Sequence, residues 1–261
     1  MSLAAPEYAD RTTRLDLSGI DFGSFRDQPL DGDSLRCLRY MHDVESHTIC
    51  YLRDVLATRA HKDPDITTFL TCWAWEEHWH GEAIGRVLRA HDEPAGRVRV
   101  ERTRQRADGW RPAVFSAVSA VLPSFSAVHM TWGAVNEWTT QAGYAQLARR
   151  AGHPVLAELL RRIMRQEGRH IDVYASEARR RLRGSRAARR TTRLALSRFW
   201  SPVGAGVMPD GEVRFLVRHL FASDDTGRAI ADRIDRRIDA LPGLAGLDLV
   251  KGAVAASAAA A

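Results

Sequence analysis

The stretch FLTCWAWEEHWHGEAIGRV, residues 69–87, decides the fold because a glutamate and a histidine interrupt its apolar helical stripe. Side chains spaced three and four residues apart share one face of a helix. The apolar members of this stripe are Phe69, Trp73, Ile84 and Val87. Glu77 and His80 occupy positions of the same face, where the spacing calls for apolar residues. The pattern predicts a long helix that turns a carboxylate and an imidazole toward the protein core.

Three further apolar stripes predict long helices, and each contains a glutamate at a core position. We expect these helices over residues 33–60, 124–151 and 154–182, with the second long helix of the chain ending near His91. The glutamates are Glu45, Glu137 and Glu167, and His170 follows the last of them on the same face. In chain order the four helices therefore offer Glu, Glu-x-x-His, Glu and Glu-x-x-His.

Four carboxylates in one core indicate a metal centre, since a buried charge without a counter-charge is very costly. Two divalent ions would balance four carboxylates. This order of ligands is known from ferritin-like bundles that hold two iron or two manganese ions, and carboxylate with imidazole suits those metals better than a structural zinc. We predict an all-α, ferritin-like four-helix bundle with additional peripheral helices. Its predicted ligands are Glu45, Glu77, His80, Glu137, Glu167 and His170.

One alternative needs no metal: a bundle of charged helices whose glutamates face arginines of neighbouring helices. Glu-x-x-His alone is a weak motif in a chain with 10 histidines, so the prediction depends on the register of all four helices. His42, His47 and His219 are expected to be surface or capping residues rather than ligands. His78 is expected at the surface or behind the ligands, because it points away from them.

The composition is that of a globular protein, with 45% hydrophobic and 27% charged residues among 261. We expect residues 1–32 to form an irregular arm, residues 33–183 the metal-binding bundle, and residues 184–261 further helices with a disordered Ala-rich tail. No apolar run approaches the roughly 20 residues of a membrane span, and no secretory signal opens the chain, so a cytoplasmic location is expected. Three scattered cysteines indicate free thiols rather than a disulfide framework.

Two short motifs resemble those of the soluble acyl-ACP desaturases, which are ferritin-like di-iron enzymes. WEEHWHG, residues 75–81, is similar to the EENRHG element of that family, and QEGRH, residues 166–170, is similar to its DEKRH element. The resemblance covers roughly residues 33 to 180. Gln166 departs from it, because the family has an aspartate there that orients a ligand histidine.

The resemblance implies an O2-dependent oxidation of an unactivated C–H bond at two iron ions. Glu45 and His80 would bind one ion, Glu137 and His170 the other, and Glu77 and Glu167 would bridge them. Thr140, three residues after Glu137, matches a family threonine thought to assist oxygen activation. A ferredoxin-type protein would supply electrons, and a homodimer is expected. Side chains suited to line a substrate path are Phe69, Trp73, Met130, Trp132 and Trp138.

An excess of arginine gives the chain a formal charge of +6 and a pI near 9.7, which suits an acidic partner. An acyl carrier protein is the partner that the resemblance implies. The densest basic run offers it Arg179, Arg180, Arg181, Arg183, Arg186, Arg189 and Arg190, although a solvated helix end would show the same run. Nucleic acid is a weaker alternative because no binding module is recognisable.

Three other functions stay open at the level of sequence. A di-iron oxygenase or hydroxylase of the same build would act on another, biosynthetic substrate. A ferroxidase or iron-storage protein would treat iron itself as the substrate, and a structural relic would bind no iron. The predicted function is desaturation of acyl chains bound to acyl carrier protein.

Overall fold

A computed structural model of the chain describes residues 5–93, 117, 119–120 and 122–259. These residues form helices and connecting turns, with one isolated β-bridge between Ala205 and Met208 and no strand among the described positions. The predicted all-α class, a helical bundle, is confirmed. Among the described helices none is both long and apolar enough to span a lipid bilayer.

Four long helices account for nearly half of the described chain. In chain order the helices are α1 (Ala5–Asp10), α2 (Ser24–Asp27), α3 (Gly32–Leu56), α4 (Pro64–Ala90), α5 (Phe125–Ala151), α6 (Pro154–Gly184), α7 (Arg186–Phe199), α8 (Asp210–Val217), α9 (Asp225–Asp239) and α10 (Leu249–Ala259). A 3₁₀ turn, Arg59–Lys62, precedes α4, and a π-helical turn, Arg218–Ala222, follows α8.

Short polar side chains cap the first turns of α3 and α4, where turn residues give way to a periodic apolar pattern in the sequence. Asp31 caps α3 by accepting a hydrogen bond from the Ser34 N–H. Asp63 caps α4 in the same way, and Pro64 occupies its first turn, where no N–H partner is needed. Gly152, with a φ of 61°, ends α5 in the left-handed conformation that favours glycine.

The described part of the chain divides into two compact units. The amino-terminal unit contains residues 5–93, 117, 119–120 and 147–166. Within it α3 packs against α4, and α1 lies on α4 through the fully buried Tyr8, whose ring meets Phe69 edge-on at 5.1 Å. The stretch before α3 therefore belongs to the core of this unit.

The carboxy-terminal unit contains residues 122–146 and 167–259. The Gln146 amide in α5 donates to the Leu220 carbonyl of the π-helical turn at 2.9 Å, and the Trp200 indole donates to the Asn136 side chain at 3.3 Å. Tyr174 of α6 lies against Gly133 of α5, where any side chain would overlap its ring. The segments that follow α7 and α8 are thus hydrogen-bonded to α5 of the same unit.

Two expectations for the chain ends are corrected. The predicted irregular arm over residues 1–32 contains α1 and α2, because Tyr8 and Phe25 bury there. The predicted disordered tail is wrong over α10, whose Val250 and Val254 are buried. The segments 94–110 and 113–122, expected as a connector and a short apolar helix, lie outside the described residues except for 117, 119, 120 and 122.

Candidate metal centre

Glu45, Glu77 and His80 are buried in the amino-terminal unit, each at the stripe position that the sequence assigned. Gly81 follows His80 and allows α3 to approach α4 closely: a Cβ there would lie 3.2 Å from the Ser46 hydroxyl and 3.3 Å from the Glu45 Cβ. A glycine at this position therefore brings the Glu45 backbone up to the helix that carries the other two ligands.

The hydrogen bonds of Gln166 determine which nitrogen of His80 faces the carboxylates. The Gln166 amide nitrogen, Nε2, is 2.9 Å from the Thr13 carbonyl oxygen and 3.4 Å from Glu76 Oε1, both acceptors. Its Oε1 must then accept from His80 Nε2, at 2.8 Å. Nδ1 therefore lies on the side of the carboxylates, 3.3 Å from Glu77 Oε2.

A second buried carboxylate supports this arrangement. Glu76 is fully buried; its Oε2 accepts from the Tyr8 hydroxyl at 2.8 Å and its Oε1 from the Thr13 N–H at 3.2 Å. Together with the Gln166 amide, these bonds connect residues 8–13 to His80. The amide thus serves as a neutral orienting group where the desaturase-like pattern would place an aspartate.

The carboxy-terminal unit buries Glu137, Glu167 and His170. His170 and Glu167 lie three residues apart on one face of α6, and His170 Nδ1 is 3.0 Å from Glu167 Oε2. The same nitrogen is 3.8 Å from Glu137 Oε2. As with His80, the imidazole presents Nδ1 to the carboxylates.

The six predicted ligands form one buried group of three in each unit. In each group every residue offers one ligand atom, and these atoms all lie within 4.8 Å of one another. The groups are Glu45, Glu77 and His80 in the amino-terminal unit, and Glu137, Glu167 and His170 in the carboxy-terminal unit. These buried clusters of glutamate and histidine could hold metal ions, and the donor set of oxygen and imidazole nitrogen without thiolate fits iron or manganese.

The other predicted site residues differ in how deeply they are buried. Thr140 is half-buried on α5, one turn after Glu137. Of the apolar side chains expected to line a substrate path, four are buried and Trp132 is half-buried; the buried four are Phe69, Trp73, Met130 and Trp138. Their roles stay predictions.

The arginines of the basic run have different local roles. Arg180 and Arg181 form ion pairs with Glu177, and Arg189 donates to the Leu182 carbonyl near the end of α6. Three others are exposed and form no ion pair within the described ranges: Arg183, Arg186 and Arg190. Only part of the run is therefore available as a basic surface.

The sequence patterns did not predict the burial of Glu76, Tyr8 and His42. Glu76 lies about 100° around the helix from Glu77, outside the apolar stripe, and Tyr8 lies in a segment without periodicity. His42, expected at the surface or at a helix end, is buried, and its Nδ1 is 2.9 Å from Asp43 Oδ1. Doublets such as Glu76–Glu77 and His42–Asp43 were the available signal, but adjacent polar residues are also common on exposed faces.

Comparison with known proteins adds no assignment to this geometry: no protein-family model matches the chain, and no curated protein matches it in sequence.

Proposed function

We propose that the chain is a di-iron, O2-dependent oxidoreductase, with desaturation of an acyl chain on acyl carrier protein as its reaction. The observation that carries the proposal is a buried group of two glutamates and one histidine in each unit, with the ligand atoms of each group within 4.8 Å of one another. In the proposed centre these groups would hold two ions, and Glu77 and Glu167 would bridge them. The resemblance of residues 75–81 and 166–170 to the soluble desaturases supports the choice of substrate class.

Charge supports two divalent ions rather than one. The six side chains carry four carboxylates, all buried, and two imidazoles. Two divalent cations neutralise four carboxylates, whereas a single ion would leave two negative charges in the core. Glu45 and His80 would complete one ion's ligands, and Glu137 and His170 the other's.

The bound ions would supply the redox chemistry that activates O2 toward an unactivated C–H bond. The chain's own residues hold that centre: Gln166 orients the ring of His80, and Glu167 lies beside the ring of His170. Thr140 is the proposed hydroxyl group near the reacting oxygen. The buried apolar side chains Met130 and Trp138 would exclude water from the substrate.

The proposed carrier protein would dock on Arg183, Arg186 and Arg190. All three are exposed guanidinium groups, and an acidic carrier with a phosphate-bearing arm complements them. A ferredoxin-type electron donor, a homodimer and a cytoplasmic location complete the proposal.

Anaerobic titration with ferrous iron, followed by O2 and an acyl-carrier substrate, tests this function. We expect two irons per chain and a product lighter by two hydrogens. A product heavier by one oxygen atom would indicate that the protein is an oxygenase rather than a desaturase. Iron turnover into a mineral without acyl chemistry would indicate a ferroxidase.

Variants at Glu77 and Glu167, the proposed bridging carboxylates, test the ligand assignment. Glu77→Ala and Glu167→Ala should abolish binding of the iron pair while the fold survives, because each removes a buried charge. Glu82→Ala is the matched control, since Glu82 is exposed on the same helix as Glu77. Two irons retained in either ligand variant would refute the assignment.

A further inference from the structure

A cavity of about 350 Å³ lies in the amino-terminal unit, apart from the six proposed ligands. It is formed by the irregular segment between α1 and α2 together with one residue of α4. Its lining residues are Arg14, Leu15, Asp16, Leu17 and Arg86. A cavity of this size is at the lower end of the range for small-molecule sites.

Two guanidinium groups reach this cavity, and each rests on an aromatic ring. The guanidinium carbon of Arg14 is 3.8 Å from the centroid of the Trp79 ring, and that of Arg86 is 5.9 Å from the centroid of Phe22. Stacking on Trp79 restricts the rotation of the Arg14 side chain while leaving its in-plane N–H groups free to donate. Neither arginine forms an ion pair with any described residue. Two cations thus face one cavity, and the donors of Arg14 are already oriented.

The loop that carries Arg14 is anchored on both sides. Before it, the Thr13 N–H and carbonyl bond to Glu76 and Gln166. After it, Arg162 donates to the carbonyl oxygens of Asp16 at 2.9 Å and Ser18 at 2.8 Å. A ligand would therefore meet a preformed wall and lose little affinity to loop ordering.

The third charged group of the cavity, Asp16, forms no ion pair with Arg14 or Arg86. Asp16 Oδ1 accepts the Ser18 N–H at 2.8 Å, and this hydrogen bonding from Ser18 lowers the pKa of the Asp16 carboxyl. The carboxylate remains an acceptor for a hydroxyl or amino group of a ligand. The cavity therefore combines two cations, one acceptor and the apolar side chains of Leu15 and Leu17.

We propose that this cavity binds a small phosphate monoester. A phosphate dianion has three terminal oxygens and can accept from two guanidinium groups at once, whereas a single carboxylate is matched by one. The remaining volume would hold the ester's carbon atoms against Leu15 and Leu17, with its hydroxyl or amino group at Asp16. This site stands on different residues from the metal centre and does not depend on it.

Isothermal titration calorimetry of the purified full chain tests the site, with methyl phosphate, inorganic phosphate and sulfate as probes at physiological ionic strength. Saturable binding at one site is expected, with methyl phosphate tighter than inorganic phosphate because of its carbon contact, and sulfate competing weakly. Inorganic phosphate binding more tightly than the ester, or no saturable binding by either, would overturn the proposal.

Substitutions locate the binding. Arg14→Gln and Arg86→Gln should each weaken methyl phosphate binding about tenfold or more, the loss expected for a charge-assisted hydrogen-bond pair. Arg86→Lys should weaken it as well, because an ammonium group cannot offer two parallel donors. Arg89→Gln, an exposed arginine on the same helix that does not line the cavity, should leave the affinity unchanged. Equal losses from Arg86→Gln and Arg89→Gln would show non-specific attraction of anions and refute the site.

Discussion

Replacing Tyr8 by phenylalanine isolates the bond that ties the start of the chain to the buried carboxylate of Glu76. The ring of Tyr8 is fully buried and stays packed against Phe69 after the change, so the loss is confined to the hydroxyl group. That hydroxyl donates to Glu76 Oε2 at 2.8 Å. A buried hydrogen bond to a charged acceptor contributes roughly 1.5–3 kcal/mol. We expect Tyr8→Phe to lower the free energy of unfolding by about 2 kcal/mol.

Urea denaturation of the metal-free protein measures this loss, which should also lower Tm by about 4–8 °C in a chain of this size. Glu76→Gln provides the control through a double-mutant cycle. Tyr8→Phe should cost about 1 kcal/mol less in that background, because the acceptor is no longer charged. A loss below about 0.5 kcal/mol in the wild-type background, or full additivity of the two changes, would refute the argument.

Three further predictions concern the carboxy-terminal unit. Burial lowers the pKa of His129 to about 4 from 6.5, with the charge of Arg181 adding to the effect, so the unfolded chain binds a proton that the folded chain does not between those pH values. The free energy of unfolding should therefore fall by about 3 kcal/mol as pH drops through this window. His129→Phe should remove this contribution to the pH dependence of the free energy of unfolding, measured by urea titrations at several pH values. Gly133→Ala should lower the free energy of unfolding by about 3 kcal/mol, because the new Cβ would lie under 3.0 Å from ring carbons of the buried Tyr174. In that background Tyr174→Leu should restore most of the lost free energy, as measured by denaturation curves. A ring that is free to move away from the new Cβ would abolish this rescue. The Asp235 carboxylate caps α10 by accepting from the Val250 and Lys251 N–H groups, so Asp235→Ala should lower the free energy of unfolding by about 1–2 kcal/mol and raise amide exchange in the first turn of α10. Asp235→Asn should keep part of this cap. Unchanged exchange in the alanine variant would contradict the assignment.

The register of apolar residues was sufficient to place the candidate ligands. A period of 3.6 residues correctly predicts the burial of Glu77, Glu167 and the two histidines. The reason is that a long helix turns one face to the core, so that every position on that face is buried. The starts of α4 and α6 also follow from local signals, since Pro64 and Pro154 stand in their first turns.

Other features depend on residues far apart in sequence. Gln166 and His80 are 86 positions apart, and Thr13 and Gln166 are 153 apart, so no local pattern indicates their hydrogen bonds. The N-terminus of α10 is similar: the Asp235 carboxylate accepts from the Val250 and Lys251 N–H groups, which a composition rich in alanine does not indicate.

The sequence by itself determined the all-α class, the approximate extent of the long helices and the six buried carboxylates and imidazoles. These follow from periodicity and capping, which act within a few residues. Tertiary structure decided which histidine nitrogen faces the carboxylates, which arginines of the basic run stay free of ion pairs, and whether the two chain ends are helical. Those outcomes depend on the partner that each polar group meets when it leaves water, and packing alone brings such partners together.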